Sequence, residues 1–142
     1  ASIIAAQFSI VSLIPRTKAV TRELVMRYGF GHKLASIRST TLHVLDVEHD
    51  PEGCIQTLRD TALLARDEDE AEAILLGCAG FADFADRLEL ELGIPVLDGV
   101  VCAVKLAEAM VELGKPTSKY LTYAPPERKV FSGIFEKFGT EA

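Results

Sequence analysis

The stretch with the clearest chemical suggestion is Leu76-Gly77-Cys78-Ala79-Gly80-Phe81. Four apolar residues, Ala73 to Leu76, run into it, and Phe81, Phe84, Ala85, Leu88 and Leu92 follow at helical spacing. The periodicity therefore switches from strand to helix at Cys78. A thiol at that switch stands at the carboxyl end of a strand and beside the start of a helix. Ligands of open α/β sheets bind at such strand ends. The N–H groups of a first helical turn favour an anion there, whether a thiolate or a carboxylate.

Counting residues removes several roles for this thiol. A Cys-x5-Arg phosphate cradle would need arginine at position 84, which is Phe84; the first arginine is Arg87. A disulfide oxidoreductase would need a second cysteine where Phe81 stands. A Cys-His hydrolase would need an imidazole, and His32, His43 and His49 all fall among turn and charged residues. Proton transfer by a thiol/thiolate pair remains, as does a covalent or anion-stabilising role. The plainer alternative is a small buried hydrophobe. Against it, Gly77 and Gly80 bracket the cysteine, letting backbone approach a ligand and leaving room beside the sulfur. Cys54, within a helix pattern, and Cys102, on an apolar helix, read as core residues. His49 lies among Asp46, Glu48, Asp50 and Glu52, with no second ligand at a recognised spacing, so no metal is expected.

The elements that would position Cys78 alternate. Phe8 to Leu13 reads as a buried strand stopped by Pro15. Thr17 is placed to cap a helix with the core stripe Val20, Leu24, Val25 and Tyr28, ended by Gly29. A second strand spans Leu34 to Arg38, and Thr41 to Asp50 reads as an irregular connection. Asp50-Pro51-Glu52 starts a helix whose inward face is Ile55, Leu58, Ala62 and Ala65. Asp67 to Glu70 reads as an exposed, solvated helix end. Ala73 to Leu76 is the third strand, and Gly93 ends the helix after it. Ile94 to Leu97 is the fourth, followed by a helix over Val100 to Leu113 with so few polar positions that it should be the most buried. After a loop from Thr117 to Pro126, Glu127 to Phe138 reads as a final amphipathic helix carrying three phenylalanines. This order predicts an α/β fold with a four-stranded parallel sheet covered by helices on both faces. The expected division is an α/β lobe over residues 1–116 and a loop and helix over residues 117–142.

Composition narrows the partners. A net charge of -6 offers no attraction to nucleic acid or an anionic membrane surface. The longest apolar runs are about half of a bilayer span. Three cysteines without a Cys-x-x-Cys suit a reduced, cytoplasmic setting. Ala1 stands inside an apolar segment without an entry signal, and four strands are few for a free-standing domain of this kind. Both suggest a piece of something larger.

Gly77-Cys78-Ala79-Gly80, the acidic amphipathic helix after it, Gly93-Ile94-Pro95-Val96-Leu97-Asp98-Gly99 and Lys105-Leu106-Ala107-Glu108 resemble the second half of a hydantoin/allantoin racemase. That family belongs to the aspartate/glutamate racemase superfamily. Phe8-Ser9-Ile10-Val11-Ser12 with Arg16-Thr17 is similar to another strand and arginine-threonine pair of the family. The resemblance implies a flavodoxin-like lobe and cofactor-independent racemisation by two cysteines, one from each of two similar lobes, facing a substrate carbon from opposite sides. It implies Cys78 as one of these bases. Backbone donors would come from Ala79 and Gly80, and hydroxyls from Ser12 and Thr17. No cofactor is implied, and the substrate would be a hydantoin-like ring, 5-substituted hydantoin or allantoin, bound by a homo-oligomer. Ser12-Leu13 departs from a threonine pair common in the family. The first lobe and its cysteine have no counterpart here, so the chain alone is expected to be inactive. Sister activities on the same scaffold (amino-acid racemase, maleate isomerase, arylmalonate decarboxylase) and a non-enzymatic α/β binding module are the alternatives. Ala79-Gly80 carries no side-chain polarity, which favours a neutral ring over an amino acid.

Overall fold

Strands and helices alternate along the chain in a computed structural model, which describes residues 1–127 and 129–138. The strands are β1 (Phe8–Ser12), β2 (Leu34–Ser39), β3 (Ala73–Leu76) and β4 (Val96–Asp98). All pair in parallel, in the order β2-β1-β3-β4. The helices are α1 (Lys18–Arg27), α2 (Asp46–His49), α3 (Pro51–Asp67), α4 (Ala85–Leu92) and α5 (Gly99–Glu112). Two compact units divide the chain, Ala1–Leu106 and Ala107–Ala142. Among the described residues no helix is long and apolar enough to cross a membrane.

The expected α/β class, parallel sheet and helices on both faces are all present. Every residue of β1 is buried, as a central parallel strand with cover on both faces requires. On one face Val11, Ile74, Leu76 and Val96 pack with Ile55 and Leu58 of α3 and Leu88 of α4. On the other, Phe8, Ile10, Ile37 and Ala73 pack with Val25 of α1. Between β1 and β2 the register steps past Ala35, pairing Phe8 with Leu34 but Ser9 with Ser36. The buried Ser9 hydroxyl meets that of Ser36 at 2.8 Å, which satisfies both.

Local signals act as their chemistry demands at α3. The Asp50 carboxylate accepts from Gly53 N–H at 3.0 Å, Pro51 follows, and Ile55, Leu58, Ala62 and Ala65 face inward. Gly29 and Gly93 adopt φ of 80° and 69° beyond α1 and α4, as helix-ending glycines do.

Six expectations need correction. Thr17 makes no side-chain cap on α1, because it has helical backbone angles and its hydroxyl donates back to Ile14 O at 2.7 Å. Of the stripe assigned to α1 only Val25 is buried, since that helix leans on the β2 side of the sheet and Val20, Leu24 and Tyr28 fall outside the contact. The connection after Thr41 contains a short helix, α2, whose first residue, Asp46, accepts through its carboxylate from His43 N–H at 2.7 Å. The acidic run at the end of α3 is not merely solvated: Arg38 of β2 binds Asp69 through Nε at 2.6 Å and Nη2 at 2.8 Å, and Glu68 at 2.7 Å. No residue of α5 is buried, so its apolar sequence states a need for cover that no described element meets. Finally, Glu127 to Phe138 is not one helix. Gly133, at φ 65°, opens a 3₁₀ stretch over Gly133–Phe138 and the described residues before it are irregular, while Arg128 lies outside the described residues.

Candidate active site

The strand order locates the site. The chain moves from β1 outward to β2, then returns past β1 to β3 and β4. The reversal falls between β1 and β3, and crevices at such switch points open outside the carboxyl ends of the strands. A cavity of about 550 Å³ lies there. Ser12, Leu13 and Ile14 line it from the end of β1, and Gly77 and Cys78 from the end of β3. Arg16, Thr17, Val20 and Thr21 complete it from the turn and first part of α1.

Cys78 sits in extended backbone, φ -144° and ψ 132°, and its side chain is half-buried. The chain after it turns first as a 3₁₀ stretch, Ala79–Phe84, and only then as α4. The first bond of the turn runs from Phe81 N–H to Cys78 O at 3.1 Å. The N–H groups of Ala79 and Gly80 precede that ladder, in the position where helix-starting donors have no partner within the turn. Phe81 is wholly buried and its ring lies 6.5 Å from that of Phe84, so the turn is pinned into the core directly behind the thiol.

Gly77 has a steric reason distinct from ligand access. A Cβ there would meet Val11 O and Ser12 Cβ at 3.2 Å and Ile10 Cγ2 at 3.3 Å. Its N–H donates to Val11 O at 2.8 Å, continuing the β1–β3 pairing one residue past the strand. The close approach brings the end of β1 beside Cys78. At Gly80, by contrast, a Cβ would make only ordinary contact with the Cys78 sulfur, at 3.7 Å.

Of the residues singled out from the sequence, Ser12, Thr17 and Cys78 line the one cavity. Ser12 is buried, its hydroxyl 3.4 Å from Arg38 O and 3.4 Å from Thr17 Oγ1. Thr17 directs its proton to Ile14 O, leaving its lone pairs. Ala79 and Gly80 stand exposed on the turn after Cys78 and are not among the lining residues. Cys54 is buried in α3, where desolvation first, then Asp46 and Asp50, raise its thiol pKa. Cys102, expected in the core, lies only partly buried on α5, because that helix has no buried face, and neither cysteine touches the cavity. Leu13, Ile14, Val20 and Thr21 are lining residues that the sequence reading passed over. The signal available was their place within two turns of a strand end that faces the cysteine strand.

A family profile described as Asp/Glu/hydantoin racemase matches residues 1–107. The chain belongs to that family. It is 54% identical over 139 residues to a hydantoin racemase of Pseudomonas sp. strain NS671, an alignment that takes in 98% of this chain and 56% of the relative. A hydantoin racemase of Rhizobium meliloti is 42% identical over 130 residues, 92% of this chain and 54% of the relative. The fold is similar to the solved allantoin racemase of Klebsiella pneumoniae, with TM-score 0.88 and 40% identity, covering 98% of this chain and 57% of that one. It is also similar to the allantoin racemase of Pseudomonas fluorescens, with TM-score 0.84 and 36% identity, covering 93% and 56%. The chain thus spans about half the length of the relatives it matches.

Proposed function

We propose that this chain supplies half the active site of a cofactor-independent racemase that inverts a carbon centre of a hydantoin-type ring, with Cys78 as one of two opposed thiols. The observation that carries the reading is the meeting of Cys78, Ser12 and Thr17 on one switch-point cavity, in a chain 54% identical to a hydantoin racemase. Neither Cys54 nor Cys102 lies on that cavity, which supports a reading in which the opposing thiol comes from outside these 142 residues. The chain is read as the second lobe of a two-lobe enzyme, inactive alone.

The chemistry is a proton exchange at carbon. One sulfur, as thiolate, takes the proton from the ring carbon bearing the side chain. The electron pair moves into the flanking carbonyl, giving an enolate. The opposite thiol then donates its proton to the other face, and the two sulfurs have exchanged protonation states. A thiol of ordinary pKa near 8.5 is a weak base for such a carbon, so the enolate oxygen needs fixed donors. Ala79 and Gly80 N–H, at the start of the turn, are the donors assigned here. Ser12 and Thr17 hydroxyls hold the ring's polar edge. Leu13, Ile14 and Val20 give the cavity an aliphatic wall, and no carboxylate lines it, which favours a ring with an apolar substituent over a free amino acid.

Two measurements test this. Incubated with one enantiomer of a 5-alkylhydantoin, the chain alone leaves the circular dichroism signal unchanged beyond the spontaneous rate; rapid decay would overturn the half-site reading. In the two-lobe polypeptide, Cys78→Ser lowers racemisation by about 10²–10⁴-fold, the usual worth of a positioned acid/base group. Undiminished activity would remove Cys78 from the mechanism.

A further inference from the structure

Most of the arginines among the described residues are ion-paired. Arg27, Arg38, Arg59, Arg66 and Arg87 each reach a carboxylate. Arg16 and Arg22 have no such partner among the described residues, and of these two only Arg16 lines the Cys78 cavity. None of the other lining residues is acidic. In a chain with net charge -6, a bare guanidinium beside a carboxylate-free cavity reverses the local field. Arg16 is also carried on a closed turn. Thr17 N–H donates to Ile14 O at 3.2 Å and Thr17 Oγ1 to the same oxygen at 2.7 Å, across a 3₁₀ turn begun by Pro15. Nothing in the packing requires a cation at this position, since Arg16 is exposed.

We propose that Arg16 is the charge-selecting residue of this site, and that its guanidinium receives the planar anionic edge of a small ligand, a carboxylate or an ionised imide. A guanidinium presents coplanar donors that match such an edge, whereas a lysine supplies charge without the fork. Applied to the racemase reading, on which this application rests, the edge is the imide of the hydantoin ring. Its N–H is more acidic than that of an ordinary amide, and one of its carbonyls takes up the enolate charge when the neighbouring carbon loses its proton. Arg16 would then hold the ring by the side that becomes negative. Because the residue is exposed, its effect is a selectivity of several-fold, weakened by salt.

Alkylation of the full chain tests the selectivity without requiring turnover. Iodoacetate and iodoacetamide modify the same sulfur and differ by a carboxylate. The ratio of their rates at Cys78, followed by peptide mapping with Cys102 as internal reference, should exceed the Cys102 ratio by about three- to tenfold, as expected of one charge a few ångströms away in water. Arg16→Met should bring the two ratios together, Arg16→Lys should keep part of the difference, and 0.5 M salt should shrink it, with far-UV circular dichroism unchanged in each. A Cys78 ratio no higher than that of Cys102, or one unmoved by Arg16→Met, would overturn the proposal. The racemase reading fails by a different route, through persistent racemisation after Cys78→Ser, so the two failures are separable.

Discussion

A methyl group at position 77 would have to fit where Val11 O, Ser12 Cβ and Ile10 Cγ2 already lie within 3.3 Å. Two of those atoms cannot swing away, since one is backbone and the other is fixed to it. Gly77→Ala is therefore expected to cost about 1–3 kcal/mol, the usual penalty of overpacking, read as a lower urea midpoint with unchanged slope. The cysteines should also separate by reactivity. Burial pushes the Cys54 thiol pKa up, with Asp46 and Asp50 adding to it. With DTNB at pH 8, Cys54 should react only on unfolding, while Cys78 reacts in the folded chain. The sign for stability follows from the raised folded value. This contribution is full below the thiol's unfolded pKa and is lost as pH rises through the folded one. The Cys54→Ala variant should lack that alkaline component. At this scale the sequence disclosed Cys78 because a glycine-flanked thiol at a change of periodicity is a local signal. Leu13, Ile14, Val20 and Thr21 joined the cavity lining only through the alignment of β1 with β3, which no local pattern records.

Helix α3 shows how much one cap can do. Asp50 accepts from Gly53 N–H, and Asp50→Ala should cost about 1 kcal/mol, measured by thermal or urea unfolding. Its other end is tied to the sheet by Arg38. The side chains of Arg38 and Asp69 are 24% and 21% exposed, which shields this pair more than the others on the surface. Arg38, chiefly by hydrogen bonding, holds the Asp69 carboxyl below the usual carboxylate range. A depressed folded pKa stabilises above the unfolded value, near 3.9, and that stabilisation is lost as pH falls through the folded one. Urea unfolding between pH 6 and 2.5 should therefore show a component below about pH 4 that disappears in Asp69→Asn. The strands and α3 could be read from sequence because their burial patterns are complete within this unit. The same reasoning misjudged α5. Its valines, Leu106 and Met110 stay about half exposed or more, and apolar periodicity cannot say whether the covering surface lies in the same chain. The final helix failed for a local reason, the left-handed Gly133.

Across the whole molecule the most telling property is bare apolar surface. Val101, Leu106, Val111 and Leu113 are more than half exposed, as are Ile134, Phe135 and Phe138. Soluble monomers seldom leave such patches uncovered. Above micromolar concentration the chain should bind a hydrophobic dye and sediment as concentration-dependent oligomers that dissociate on dilution. A single monomer boundary at all concentrations would show that the patches are tolerated.

The buried serine pair between β1 and β2 bears on how the sheet comes together. As an outer strand, β2 is held on one side only, which leaves its register open to slippage. A slip of one residue would turn Ser36 to the opposite face, leaving the buried Ser9 hydroxyl without its partner. It would also carry Arg38 away from Asp69, at the far end of the strand. One error thus breaks two polar contacts at once, like a failed checksum. These polar contacts distinguish correct from incorrect assembly while the chain is still choosing, whatever they add once it has chosen.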